Sequence, residues 1–309
     1  VQRGLSKLNE SSFRIVPLRV SRQDARMRRL PTLGITLLAI FSLLSIGCAK
    51  SGEVSRKKAR EHVELLAKAA QVDVEEVRKG LPLGAKQLES FFAQAKAGED
   101  AAAAKDALEL ARSRVQDLRT AKSTFFLLAS SQGSILRSDL EHDALAGKNL
   151  FAAFPELRGA VSQYTETRGS MAEAAGVRGR SDGQWAVAMP VMKGDQVAGI
   201  YATGWSWSAY AYRLENQLRS TVKSEAAATQ GKEPLVYVYV VVEKEAYGAP
   251  ISPDVNAKAI KDSGLMGRAT GEAPVDAVQE IEGREFGIAL RRVPALGAEV
   301  AIAVVRSET

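Results

Sequence analysis

The chain opens its patterned part with a marked asymmetry. Arg28 and Arg29 follow Met27, an apolar run extends from Leu33 to Ile46, and the small residue Gly47 precedes Cys48. A cationic lead, a short apolar core and a small residue at its end make the layout of a secretory signal. The run falls short of the roughly 20 apolar residues that span a bilayer. The competing reading is a transmembrane anchor with an incidental cysteine.

Behind it the apolar period becomes helical. Val63, Leu66, Ala67 and Ala70 share one face of a helix expected from Ser55 to about Lys79, and Gly80, Pro82 and Gly84 are expected to break it. A second helix is expected over 85–97, with Leu88, Phe91, Phe92 and Ala95 as its stripe. A third, 101–122, carries Ala104, Leu108, Ala111, Val115 and Leu118 at coiled-coil spacing. That seam suits either a homodimer through the 101–122 helix or packing on the chain's own body.

At Ser123 the pattern turns to strands. Residues 124–129 read as a buried strand and 134–138 as its hairpin partner, with a short helical piece over 154–164. A Gly-, Arg- and Ser-rich loop from Arg168 to Gly183 leads into a hairpin, 184–191 and 196–203. A helix over 208–228 follows, then a strand over 235–242 and a helix opened by Pro250 and Pro253. The chain then reads as a strand at 277–281 and a last hairpin, 284–290 and 299–306, laid out like 184–203. The expected class is α+β with mainly antiparallel sheets. The expected organisation is a signal segment (1–47), a tether and helical stalk (48–122), a first module (123–231) and a second, smaller one (232–309). One larger mixed domain is the rival.

Charge changes its meaning once the signal is set apart. The chain of 309 residues has a formal charge of +6. Residues 1–47 hold eight Lys/Arg against Glu10 and Asp24, so the whole excess lies there and the rest is balanced. Nucleic-acid binding is therefore not expected. Residues 1–26, Arg-rich and without apolar period, read as an over-long start preceding Met27.

Leu44-Ser45-Ile46-Gly47-Cys48 resembles the lipobox of bacterial lipoproteins, with Ser45 where that family usually has Leu. The resemblance implies acylation of Cys48, cleavage before it and a lipid anchor in the envelope facing the periplasm. Ala49, rather than Asp, points to the outer membrane by the sorting rule of that family. Acylation would consume the only Cys of the chain, leaving no thiol for a disulfide, a zinc site or a nucleophile.

Gly147-Lys148-Asn149-Leu150, Ala188-Met189-Pro190-Val191 and Val197-Ala198-Gly199-Ile200 resemble the Cache branch of PAS-like sensory domains, over about residues 100–230. The resemblance implies a small-molecule cavity formed by the central sheet and the loops above it. With no second membrane segment, kinase or methyl-accepting segment before Thr309, signalling is expected to pass through a separate envelope partner.

The chemistry-bearing residues are sparse. Only His62 and His142 are present. His62 reads as a surface helix residue, and Glu141-His142-Asp143 lacks a further partner to converge on a metal. Asp262-Ser263-Gly264 lacks the flanking glycines and partner His of a serine nucleophile, and no P-loop, nucleophile elbow or dinucleotide fingerprint occurs. Neither an enzyme nor a cofactor is expected. Binding groups are richer: all three Trp fall within 185–207. Trp185, Tyr201 and Trp205 are candidate aromatic walls, and Arg168, Arg178 and Asp182 in the preceding loop are candidate polar anchors. The expected function is a ligand-binding lipoprotein; the alternative is a scaffolding lipoprotein that uses its PAS-like fold for protein contacts.

Overall fold

The computed structural model describes residues 33–94, 101–172 and 182–308. Its longest element is α1, Leu33–Gln94, a single helix that includes Cys48 on its backbone and Pro82 in its interior. The side chain of Cys48, and with it the acylation reading, lies outside the described residues. From Ser45 onward the chain forms one compact body.

The break expected at Gly80, Pro82 and Gly84 does not occur. An interior proline costs a helix about 3 kcal/mol, yet Leu81, Ala85 and Leu88 on either side are buried and hold α1 in place. The glycines serve close approach instead of termination. A Cβ on Gly80 would lie 2.8 Å from Leu118 Cδ2, and one on Gly84 2.6 Å from Leu118 Cδ1 and 2.7 Å from Tyr201 Cε1.

The expected 101–122 helix is divided. α2, Ala101–Arg114, is followed by Val115 in extended conformation (φ −101, ψ 111) and then by α3, Gln116–Thr120. The seam residues Ala104, Leu108, Ala111, Val115 and Leu118 are all buried in the core that α1 also lines. They pack on the chain's own body, so a homodimer seam there is replaced by an internal contact.

The first sheet comprises β1 (Phe125–Ala129), β2 (Ile135–Ser138), β3 (Thr165–Gly169), β4 (Gln184–Lys193) and β5 (Gln196–Ser206). All its pairings are antiparallel, in the order β2-β1-β5-β4-β3. Between β2 and β3 lie α4, Leu150–Ala153, capped by the Asn149 side chain, and a 3-10 turn, Pro155–Val161. Alternation along the strands splits the sheet into two buried faces. Phe126, Leu128, Trp185, Val187, Tyr201 and Trp205 face the helices. Phe125, Leu127, Ala186, Ala188, Ile200 and Ala202 meet Phe151, Phe154 and Leu157 on the other side.

α5, Trp207–Thr229, crosses to the second sheet: β6 (Leu235–Val242), β7 (Glu245–Gly248), β8 (Val275–Ile281), β9 (Arg284–Arg292) and β10 (Val300–Ser307). Its order, β7-β6-β10-β9-β8, repeats the first, again wholly antiparallel. α6, Asp254–Asp262, and α7, Leu265–Arg268, cover its outer face, while Val238, Val240, Ile302 and Val304 face the helices. One core thus runs from α1 beneath both sheets. β3 and β7, which the apolar pattern does not announce, are short edge strands of mixed polarity (TETRG and EAYG).

Candidate functional site

The loop after β3 is stitched at its neck before it closes into β4. Ser170 Oγ donates to the Asp182 carbonyl at 3.0 Å. The Met171 N–H donates to Gln184 Oε1 at 2.6 Å, and Gln184 Nε2 returns a bond to the Met171 carbonyl at 3.0 Å. The Gln184 amide is fully buried, so both of its functions are spent on holding the loop ends together. Arg178, and residues 173–181 generally, lie outside the described residues.

Asp182 stands at this neck against the first turn of α5. Its carboxylate accepts the Ser208 N–H at 3.2 Å and 3.4 Å, and the Trp207 N–H donates to the Gly183 carbonyl at 3.0 Å. The positive end of α5 favours the anion there. Burial acts the other way and prevails: it pushes the Asp182 carboxyl up to about 6, against the bonds from Ser208, Ser206 and the Gly183 N–H. Trp207 is buried at the same spot: a Cβ on Gly183 would lie 2.8 Å from Trp207 Cδ1 and 3.6 Å from the Tyr247 hydroxyl. Tyr247 comes from β7 of the second sheet; burial, then the Asp182 charge, raises its phenol above the ordinary range. A buried carboxylate, an indole wall and a phenol from the other half therefore meet beside one loop. A carboxyl perturbed by burial at a loop mouth is a physical marker of a binding or catalytic position.

The other expected anchors fall elsewhere. Arg168 is exposed on β3, opposite Trp185, with its guanidinium near the position a Cβ on Gly297 would occupy, between β9 and β10. Trp185, Tyr201 and Trp205 lie on the helix-facing side of the first sheet and are at most 2% exposed. Trp185 and Trp205 meet at 4.4 Å between ring centroids, and Trp205 stacks on Tyr210 at 4.5 Å. Tyr210 donates to Asp73 Oδ2 at 2.7 Å, and Lys122 Nζ binds Oδ1 of the same carboxylate at 2.5 Å. This is a packed joint of α1, α5 and the sheet, where the sequence suggested cavity walls. Asp73 is the signal that sequence reading passed over, a lone acid among the buried Ala70, Val74 and Val77 of α1.

His62 also departs from expectation. It is 3% exposed, 3.3 Å from Glu225 Oε1 on α5 and 3.4 Å from Arg306 Nη1 on β10. Its place beside Glu61 predicts a surface ring, but the close packing of α1 against β10 and α5 encloses it. His142 is exposed, and its neighbours are taken up by Lys105 (to Glu141) and by Arg137 and Ser138 (to Asp143). Among the described residues no group of three or more His, Cys, Asp or Glu is placed to hold a metal ion.

No protein-family model matches the sequence, and no curated protein matches it either. Among solved structures, the chain is similar to the extracellular domain of a protein assigned as a histidine kinase, at 11% identity and a TM-score of 0.57, covering 84% of this chain and 93% of that one. It is also similar to a domain of a sensory box/GGDEF family protein from Vibrio parahaemolyticus, at 10% identity and a TM-score of 0.55, covering 84% and 98%. At such identities the likeness is one of fold. The chain has the α+β fold of these sensory domains: a long N-terminal helix carrying two antiparallel, PAS/Cache-like sheets.

Proposed function

We propose that this chain is an extracytoplasmic sensory module that binds a small molecule at the loop neck around Asp182 and does no chemistry on it. The observation that carries the reading is the buried Asp182 carboxylate beside Trp207 and Tyr247, in a fold shared with extracellular sensory domains over 84% of the chain. A carboxylate in that setting favours a ligand with a cationic or hydrogen-bond-donating group. In the finer reading the module is anchored in the envelope by acyl chains on Cys48, in the outer membrane, and passes its signal to a separate partner.

The scaffold reading keeps one observation in its favour: Trp185, Tyr201 and Trp205 are buried, with Trp185 and Trp205 in ring contact. A thermal-shift screen of the full chain against amino acids, amines and carboxylates separates the two. A saturable rise in Tm, lost in Asp182→Asn, is the expected result. No shift from any class, together with a stable envelope partner on co-purification, would replace sensing by scaffolding. The anchor has its own test, a gain of acyl mass on the chain that Cys48→Ser abolishes.

A further inference from the structure

The outer face of the second sheet is not packed like that of the first, which Phe151, Phe154 and Leu157 fill. Over the second, the end of β6 and the helices α6 and α7 leave a cavity of about 400 Å³, with Val241, Ile260 and Met266 as its apolar lining. Part of the wall is bare backbone at Gly264 and Gly267, which are three residues apart and so share one side of the turn from α6 into α7. Gly264 is in the left-handed region (φ +62), where glycine is favoured. Gly267 has no such reason. Its φ is not positive, a Cβ there would meet nothing within 4 Å, and it sits inside α7, where glycine is a poor helix former. Among the described residues only Gly271 shares the first two traits, and it lies in no helix. What a side chain at 267 would alter is the cavity that this residue lines.

We propose that this cavity is a second ligand site, separate from the loop neck at Asp182, and that it takes an uncharged aromatic molecule of one or two rings. Size sets the ring count, since a dry apolar cavity of roughly 150 Å³ holds one benzene. Charge sets neutrality: Glu243 and Glu245 stand at the rim against Lys244 and Lys261, and Lys261 Nζ is tied to Glu245 Oε2 at 2.6 Å. Shape and softness favour a ring over an acyl chain. A wall without Cβ atoms lets a flat face lie against the backbone, and the Met266 thioether favours the edge of an aromatic ring. Lys244, which has no salt-bridge partner among the described residues, can bring its ammonium over the ring face. The site uses no residue of the Asp182 neck, so its failure and the failure of ligand sensing there read out separately.

The test is methyl NMR of the full chain carrying carbon-13 methyl-labelled methionine, titrated with indole and, for comparison, with cyclohexanol. Only five methionines are present, and Met266→Leu assigns the signal. Indole is expected to give a saturable ring-current shift of the Met266 methyl, retained in Asp182→Asn and weakened by at least about tenfold in Gly267→Leu, which overfills the cavity. Gly267→Leu is expected to keep or raise Tm, since no atom within 4 Å of the new Cβ opposes it. Gly267→Ala repeats the test with a smaller side chain and is expected to weaken indole by a smaller factor. No shift of the Met266 methyl with indole, or an unchanged midpoint in the Gly267 variants, would overturn the site. Cyclohexanol binding as tightly as indole would overturn the aromatic assignment.

Discussion

The two sheets share one strand order and one supporting helix, yet they fill their cores in different ways. The first holds Trp185 and Trp205, with Trp207 opening α5 behind it, and at its loop neck a buried carboxylate, Asp182, and a buried amide, Gln184 of β4. The second is built on aliphatic strands, with Val236, Val238, Val240, Val304 and Ile302 toward α1 and α5. Its buried charges lie where Arg306 meets His62 and Glu225, and where Glu215 of α5 accepts the Val238 N–H at 3.1 Å. Aliphatic packing fills space and fixes register; buried polar groups must each be satisfied, and one held at the edge of burial can answer to a ligand. Under the proposed function, the contrast puts the polar groups that would recognise a ligand mainly in the first half and leaves the second to support them. Contacts between them are specific: Arg78 on α1 binds both carboxylate oxygens of Glu166 on β3, at 2.7 Å and 3.0 Å, and donates at 3.1 Å to the Ala295 carbonyl beyond β9.

Substitution in the aromatic joint breaks this comparison most strongly. Trp205→Ala is expected to cost roughly 3–5 kcal/mol, since it empties the space between Trp185 and Tyr210; urea unfolding measures it. The matched change in the second half, Val240→Ala, removes less volume and is expected to cost roughly 1.5–3 kcal/mol. Equal losses would mean that the two cores are not differently built.

The buried titratable groups give opposite slopes against pH. Asp182 is pushed up to about 6 in the fold, from an ordinary 3.8, so the native state binds its proton more tightly than the unfolded chain. Its contribution to stability is present in full below about 4 and is lost as pH rises through about 6. Asp182→Asn is expected to flatten the Tm profile over that window. His62 is held below its ordinary 6.5 by burial, against the raising effect of Glu225 and with the repulsion of Arg306. Lys58 also faces it, and Glu308 holds the other edge of Arg306. The unfolded chain therefore takes the proton first, and His62 contributes stability above 6.5 that is lost as pH falls. His62→Gln is expected to soften that acid limb, measured as Tm from pH 7.5 to 5. At the small end, Lys258→Ala removes an exposed pair with Asp262 on α6 and is expected to change stability by less than about 0.5 kcal/mol.

Much of the fold is legible in the sequence because alternation and helical period are direct imprints of burial. The strands at Phe125–Ala129, Gln184–Lys193 and Leu235–Val242 stand out for that reason. What the pattern misses is set by tertiary contact. Gly80 and Gly84 read as a helix end, but they are small because Leu118 and Tyr201 press on α1. β3 and β7 carry no alternation because edge strands of mixed exposure need none. The site is legible only in part. Asp182 stands out as a charge beside a strand start, but the role of Gln184 depends on Met171 thirteen residues away. Tyr247 arrives from the other sheet altogether. The clustered tryptophans are buried and stacked on one another and on Tyr210, and aromatic density in the sequence looks the same in such a joint as in a pocket.

The central claim is that a small molecule is recognised at the neck around Asp182, and the tryptophans supply its most direct test. Trp207 packs against Gly183 at that neck. Titration of the full chain with the compound that raises Tm, followed by tryptophan emission, is expected to give a saturable change that is strongly reduced in Asp182→Asn and retained in Lys258→Ala. An emission change of the same size and midpoint in Asp182→Asn would contradict the account.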